Sequence, residues 1–370
     1  MGSSLFDPVL LGAIEAPNRI IMAPLNRMRA GPGRAPNDLT VRYYSQRASA
    51  GLIISEACAV SEFGYNAEGM MGAYAPAQFD AWRAVTKAVH AKGGRIVMQL
   101  HHSGRIAQAS MMPDGQPPVA PSELQPGESP PHAPGPSGWE LATPPRALDT
   151  AEVEALVASY AAAAVAAREA GFDGVEIMAA NGYLMDQFLG SRSNRRTDRY
   201  GGSAANRRRF LLEIIEAIAA QWSADRIGVK LSPGGRFHGA GDEDPVKAAQ
   251  GLVAELDGAG LAYLHLAEVL AGSLPALPPG LELRERRLAP ELRRLFRGPV
   301  IVNAGFDGQS AQAALDEGWA DAVAFGALFI ANPDLPERLR RGAAFNPPDH
   351  ATFHGGQGEA GYVDYPALDD

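Results

Sequence analysis

The fold of this chain is decided by residues 171–203, GFDGVEIMAANGYLMDQFLGSRSNRRTDRYGGS. The stretch opens on Gly171, a residue type that commonly ends a helix, and continues into a short apolar strand over 174–178. A turn carrying Asn181 and Tyr183 follows, and then a new helix and a polar, arginine-rich loop. A buried strand that delivers polar side chains at its carboxyl end is typical of an α/β enzyme site.

The rest of the chain repeats this strand–helix alternation. Eight short apolar runs predict strands at 18–23, 52–56, 95–100, 174–178, 228–231, 262–266, 300–303 and 322–325. Helical patterns separate them at 75–91, 152–170, 206–220, 245–258, 290–296 and 310–318. Such alternation predicts a parallel sheet. Eight strands with none left for a second sheet favour an α/β fold with a single (β/α)₈ TIM barrel, spanning 1–370 as one domain, over an open doubly wound sheet.

One segment, 103–146, interrupts this rhythm with a long proline-rich loop after strand 3. Proline excludes helix interiors and central strands. Loops of this length inside a compact domain are usually functional or disordered. The segment follows a strand on the catalytic face, so we expect a lid or cap over the site. The alternative is a plain surface excursion.

Charge, apolar runs and cysteine content narrow the classes of function. The formal net charge of −9 argues against nucleic acid as a partner. The sequence has no uninterrupted apolar run of about eighteen residues, which argues against a membrane partner. The single cysteine, Cys58, allows no intramolecular disulfide and fits a reducing, cytoplasmic location.

Barrels commonly hold a phosphate on backbone N–H groups in the turns after strands seven and eight. Here those turns read NAGF, with Gly305, and FGAL, with Gly326. The pattern therefore predicts a phosphorylated cofactor or substrate at this position. The alternative is that both glycines serve only tight strand–helix turns.

Several motifs, in order along nearly the whole chain, resemble the old yellow enzyme family of FMN-dependent ene-reductases (NADH:flavin oxidoreductase type). They include NRIIMAPLNRMRA, IVMQLHHSGR, NGYLMDQFL, SNRRTDRYGGS, FIANPDL and GYVDYP. The resemblance implies one barrel with FMN on its carboxyl face and NADPH or NADH as hydride donor. It also implies that flavin N5 takes hydride from this donor and passes it to the β-carbon of an activated alkene. The expected partner is a small α,β-unsaturated compound, such as a natural-product intermediate, and the expected state is a monomer or homodimer.

The resemblance assigns cofactor contacts to the ends of the first three strands. Gln99 stands where the family binds the flavin pyrimidine edge, and an amide can both donate and accept there. Pro24, Leu25, Asn26 and Ala57 stand where the family lines the isoalloxazine. Asn26 replaces a threonine or cysteine that touches flavin O4, a contact that an amide N–H can also make.

The resemblance also assigns the chemistry to the opening stretch. Tyr183 matches the family's proton donor. Asn181 matches one half of the pair that hydrogen-bonds the substrate's carbonyl or nitro oxygen and stabilises the developing negative charge. For Asn181 the alternative is a cap on the following helix.

Besides Asn26, four positions depart from the family pattern, and the resemblance implies that they affect both substrate and cofactor binding. Met178 replaces the histidine that completes the oxyanion pair, and methionine has no donor; its simplest role is a pocket wall. Ala327, after Gly326, replaces the arginine that clamps the FMN phosphate. Lys230 replaces an arginine and keeps only its charge. His101 replaces a tryptophan beside the substrate pocket. His101 and His102 together resemble a metal-binding pair, but no third ligand is evident, so we expect no metal.

Two functions remain open at this stage. The first is an FMN-dependent oxidoreductase that acts on activated C=C bonds with an atypical substrate clamp. The second is a non-reductive or flavin-free variant, an isomerase or acid–base enzyme or a binding protein, on the same barrel. Gln99 and the glycines at 305 and 326 favour the first, whereas Met178 and Ala327 motivate the second.

Overall fold

The computed structural model describes residues 3–126, 128, 130–135, 138–271, 281–356 and 358–368. Eight parallel strands form its centre: β1 Ile20–Met22, β2 Leu52–Ala59, β3 Ile96–His101, β4 Gly174–Ala179, β5 Ile227–Leu231, β6 Tyr263–Ala267, β7 Val300–Asn303 and β8 Ala322–Phe325. Each strand pairs with the next along the chain, and β8 pairs with β1. The sheet is therefore closed, which confirms the predicted TIM barrel.

Helices lie between the strands and after the last of them. They are α1 Asp38–Gln46, α2 Pro76–His90, α3 Thr150–Glu169, α4 Leu184–Leu189, α5 Ala204–Gln221, α6 Pro245–Leu256, α7 Ala289–Leu292, α8 Gly308–Asp316, α9 Ala327–Ala331 and α10 Leu335–Arg341. The helix predicted over 290–296 is wrong in extent, because α7 gives way to a 3₁₀ turn. The prediction also lacks α1, although Asn37 and Thr40 form a reciprocal capping box at its start.

Strand β2 is longer than predicted, and this moves one candidate site residue. Its pairing with β3 shifts register between Ile54 and Ala57, and the strand then continues to Ala59. Ala57 therefore lies within the strand rather than after it. A register irregularity of this kind re-aims the backbone beside a site.

Two apolar layers hold the barrel together. The larger layer packs the outer faces of the strands against the helices. The smaller fills the barrel interior with side chains such as Ile21, Ile54 and Ile301. An antiparallel hairpin, Val9–Leu11 with Ile14–Ala16, joins this interior layer at the amino ends of the strands. The hairpin thus plugs the bottom of the barrel and leaves the carboxyl ends for chemistry.

The proline-rich segment carries short structure of its own. An antiparallel hairpin pairs His132–Gly135 with Gly138–Leu141, which we call the cap hairpin. The ring of Trp139, on this hairpin, stacks on His238 in the loop after β5, with centroids 5.5 Å apart. The cap hairpin therefore reaches across to another loop at the carboxyl face.

Helix α3 is long and apolar enough to satisfy the length and composition of a membrane span, with a mean hydropathy of 1.3. It instead packs on β3 and β4 and beside α2 and α5. Buried residues such as Val153 and Tyr160 face that core. We therefore interpret α3 as a barrel helix.

A buried arginine fastens the described residues of the carboxyl-terminal segment, 349–356 and 358–363, to the barrel. Arg27 donates through Nη2 to the carbonyl oxygen of Gly361 at 2.7 Å. Its guanidinium lies 5.0 Å and 5.1 Å from the ring centroids of Tyr43 and Tyr362. Hydrogen bonds and cation–π contacts thus join the two ends of the chain.

A buried carboxyl group lies under this contact. Glu56 on β2 accepts from the backbone N–H of Arg27 at 3.3 Å and from the Tyr44 hydroxyl at 3.4 Å. Burial raises the pKa of Glu56 from 4.5 to about 7, although Arg27 partly opposes the shift. The folded protein therefore holds a proton on Glu56 that the unfolded chain releases more readily.

We expect a Glu56→Gln variant to lose much of this pH dependence. The contribution of Glu56 to stability is fully present below pH 4.5 and is lost as the pH rises through 7. That loss is on the order of 3 kcal/mol, because one pKa unit corresponds to about 1.4 kcal/mol. Denaturant unfolding at pH 5 and pH 8 measures it in the wild type and in Glu56→Gln. Exposed Glu62→Gln is the control, and an identical decline in all three proteins would contradict the assignment.

Candidate active site

A buried polar layer lies at the carboxyl end of the barrel interior. Glu176 on β4 accepts from Gln99 Nε2 at 2.7 Å and from His265 Nδ1 at 2.8 Å. Lys230 on β5 acts on it through space, without forming an ion pair within the described residues. The period of two in β3, β4 and β6 aims these side chains inward together. Glu176 therefore lies at the centre of a network that joins Gln99, His265 and, through its charge, Lys230.

Charge in this layer is balanced inside the barrel. Burial alone would raise the pKa of Glu176, but His265, Lys230 and Gln99 together hold it below its usual value. Burial lowers the pKa of His265, so the imidazole is neutral and donates from Nδ1. Burial also lowers the pKa of Lys230, and Glu176 opposes that shift. The layer thus presents Lys230 Nζ and Gln99 Oε1 without protein partners in the described chain.

The turn after β4 is tightly fixed. Gly182 has a φ of +77°, and a Cβ there would lie 2.5 Å from the carbonyl oxygen of Phe237. Its N–H donates to Asp186 Oδ2 at 2.8 Å. Asn181, also in the left-handed region at φ +58°, donates its N–H to Ser232 Oγ at 2.8 Å. These constraints position the residues on either side of Gly182.

The Tyr183 side chain lies between β3 and the proline-rich segment. Its ring meets His101 edge to face, with centroids 4.6 Å apart, and packs against an apolar cluster of Ile106, Ala133 and Ala142. Burial raises the pKa of Tyr183, and a hydrogen bond with Asn66 opposes this. The phenol therefore keeps its proton at neutral pH.

His101 cannot act as a donor in this pocket. The Ser103 hydroxyl donates to the carbonyl oxygen of Gly64 at 2.9 Å, so it accepts from His101 Nε2–H at 3.0 Å. His101 Nδ1 is then an unprotonated, buried acceptor without a partner in the described residues. Burial lowers the pKa of His101 to about 3, so the ring stays neutral.

The two remaining substrate-side candidates differ in chemistry. The Asn181 side chain makes no hydrogen bond within the described residues, so it does not cap α4. Met178, 6% exposed, pairs in register with Lys230 on β5 and offers no donor. The amide of Asn181 is consequently the one that the turn leaves available to a substrate oxygen.

The residues predicted to line the flavin lie in the segment that follows β1 and on the neighbouring strands β2 and β3. Asn26 Oδ1 accepts from the Ala57 N–H at 2.9 Å, which turns its Nδ2 donors away and leaves them unpaired in the described chain. Ala57 pairs in register with Gln99. Pro24 and Leu25, like Asn26, are partly exposed. The group presents backbone, amide donors and apolar surface along one wall.

The turns after β7 and β8 contain free backbone donors. In the described chain, the N–H groups of Ala304, Gly305 and Phe306 donate to no acceptor. Gly326 directly precedes α9, and a Cβ there would lie 3.5 Å from a methyl group of Leu25. Ala327, the first residue of α9, contributes no charge. Free N–H groups suit an anion such as the FMN phosphate, so the residues present fit this cofactor.

Sequence reasoning missed three residues that shape the site. Asn66 and His265 are buried polar partners of Tyr183 and Glu176, and Arg287 lies beside the β7 turn. Only His265 carried a signal, as a polar residue inside an apolar strand. No group of three or more metal-ligating side chains occurs in the portion that the structure describes.

Comparisons with known proteins identify the family of the chain. Residues 4–346 match the model of the NADH:flavin oxidoreductase / NADH oxidase family. The chain is 37% identical over 374 residues to putative 12-oxophytodienoate reductase 2 of Oryza sativa subsp. japonica, covering 99% of this chain and 94% of the relative. It is 40% identical over 369 residues to a probable flavin mononucleotide-dependent alkene reductase of Leishmania infantum, covering 98% and 97%.

Among solved structures, morphinone reductase superposes with a TM-score of 0.91 and 46% identity, covering 100% of this chain and 98% of that one. The same protein has been solved with tetrahydroNAD. These relatives favour the flavin-dependent hypothesis over the flavin-free one. The chain belongs to the NADH:flavin oxidoreductase, or old yellow enzyme, family and is an FMN-dependent, ene-reductase-like oxidoreductase that uses a nicotinamide hydride donor.

Proposed function

We propose that this enzyme reduces the activated C=C bond of a small α,β-unsaturated carbonyl compound, with Tyr183 as the proton donor. The observation that carries the proposal is the turn after β4, which holds the Tyr183 phenol and the unpaired Asn181 amide at the barrel mouth. When bound, FMN supplies hydride from N5 to the β-carbon of the substrate. A proton from the Tyr183 hydroxyl then completes the reduction at the α-carbon.

Asn181 holds the substrate's carbonyl oxygen in this proposal. Negative charge that develops on that oxygen is stabilised by the Asn181 N–H donors. Met178 and His101 add no further donor, because one is a thioether and the other offers only a lone pair. We therefore propose that a single amide polarises the substrate and that apolar contacts orient the remainder of it.

The proline-rich segment supplies such contacts. Ala133 on the cap hairpin and Ala142 pack with Ile106 against Tyr183, and Trp139 spans to His238. We propose that 103–146 acts as a lid that excludes water from the phenol. Substrates that reach this apolar surface should then react better than small enones.

A Met178→His variant tests the single-amide clamp. It restores a second donor, so we expect kcat/KM for a small enone such as cyclohex-2-enone to rise up to about 100-fold. Met178→Leu, which has similar volume and no donor, should leave it unchanged. Steady-state kinetics with saturating NADPH or NADH measure both. Equal kinetics for the two variants would contradict the proposal that a missing donor limits turnover of small substrates.

A further inference from the structure

Arg287, just before α7, lies against the turn that follows β7. Its Nη2 donates to the carbonyl oxygen of Ala304 at 2.6 Å, and its Nη1 donates to that of Glu268 at 3.1 Å. The guanidinium also lies 4.1 Å from the ring centroid of Phe306. A Cβ on Gly305 would come within 3.8 Å of Nη2.

The charge of this arginine is not used by an ion pair. In the part of the chain that the structure describes, no carboxylate lies within salt-bridge distance of Arg287. Both carboxylate oxygens of nearby Glu268 accept instead from backbone N–H groups, those of Leu288 and Ala289. Arginine offers five N–H donors in a planar fork, and the carbonyl contacts leave some of them, with the full positive charge, for another group.

The turn that Arg287 grips is the one with free backbone donors. Ala304 and Gly305 have φ values of +79° and +75°, and their N–H groups and that of Phe306 have no acceptor in the described chain. A non-glycine residue such as Ala304 is strained at that φ. A guanidinium bound to its carbonyl oxygen stabilises this conformation.

We propose that Arg287 supplies the positive charge for the FMN phosphate that Ala327 cannot supply. It fixes the β7 turn through the carbonyl oxygens of Asn303 and Ala304 and places a cation beside the free N–H groups. An arginine from the loop before α7 thus replaces one at position 327. The inference concerns cofactor binding alone, so its failure leaves the proposed reaction untouched.

The test compares flavins with and without the phosphate. The full-length chain, freed of flavin and checked for native circular dichroism, is titrated with FMN or riboflavin while flavin fluorescence is followed. We expect Arg287→Gln to weaken FMN binding about 10- to 100-fold, the range for hydrogen bonds to charged groups, and riboflavin binding less than about threefold. Exposed Arg286→Gln, with the same change in charge, should bind both flavins as the wild type does.

A second variant makes the result specific. Adding Ala327→Arg to Arg287→Gln should recover FMN affinity without changing riboflavin affinity, because it returns a cation to the same anion. Equal loss of FMN and riboflavin in Arg287→Gln would overturn the proposal in favour of a purely structural role. Unchanged FMN affinity, or an equal effect of Arg286→Gln, would also overturn it.

Discussion

Tyr183→Phe is expected to lower the turnover of alkene reduction by about 10²–10⁴-fold, the usual contribution of a positioned general acid. The substitution removes one oxygen and leaves the ring packed against His101 and the cluster of Ile106, Ala133 and Ala142. Reduction of the bound flavin by NADPH or NADH needs no proton from this phenol, so that half-reaction should keep its rate. Stopped-flow absorbance resolves the two half-reactions.

The pH profile provides an independent measurement of the same role. Because burial raises the pKa of Tyr183 above its ordinary value of 10, the phenol is protonated across the neutral range. The oxidative half-reaction should therefore show no decline between about pH 6 and pH 9 that arises from this group. Tyr160→Phe removes another buried hydroxyl, on α3 and away from the site, and serves as the control. A loss below about tenfold in Tyr183→Phe would rule out this proton donor.

Among the substitutions considered, Glu176→Leu should cause the largest loss of stability, lowering the free energy of unfolding by about 3–5 kcal/mol. The substitution leaves the buried Lys230 ammonium without its counter-charge, and uncompensated buried charges cost about this much. It also removes the acceptor of Gln99 and His265. Denaturant unfolding of the full chain measures the loss. Because we propose that Gln99 and Lys230 contact the flavin, we expect FMN retention during purification to fall as well.

Two companion variants separate electrostatics from packing. Lys230→Met in the Glu176→Leu background removes the orphaned charge and should recover most of the lost stability, because apolar replacement of a whole buried pair is often neutral. Glu154→Ala removes a carboxylate from an exposed pair with Arg199 and should cost at most about 1 kcal/mol. If Glu176→Leu is no more damaging than Glu154→Ala, the buried network does not hold the barrel interior together.

The fold could be predicted because barrel strands are short apolar runs that alternate with amphipathic helices, and that alternation survives without any tertiary information. Local sequence patterns could not predict the features that depend on the register between neighbouring strands. Ala57 lies inside β2 only because the pairing with β3 slips after Ile54. The interior partners of Glu176 depend on which strands become neighbours. From the sequence alone, Lys230 is as good a candidate partner as His265. The helix over 290–296 was predicted too long, because the chain leaves the α-helix after Leu292 and continues as a 3₁₀ turn.

Candidate site residues show the same division. The positions of Tyr183, Asn181 and Gln99 follow from motifs at strand ends, so the sequence could indicate them. Arg287 precedes a short helix in an arginine-rich run with no pattern that distinguishes it from Arg286. Only the folded chain shows that one of the two reaches the β7 turn while the other stays exposed.

The hairpin at residues 9–16 has a consequence for engineering this protein. It packs into the apolar interior at the amino end of the barrel, whereas the polar layer lies at the opposite end. Mutational libraries can therefore be divided into positions near the amino ends of the strands and positions near their carboxyl ends. Substitutions that improve the packing around Leu11 and Ile14 should raise thermal stability at positions far from the reacting atoms. Such stabilising substitutions can be introduced first, so that they offset the stability lost through later substitutions that alter selectivity at the carboxyl end of the barrel.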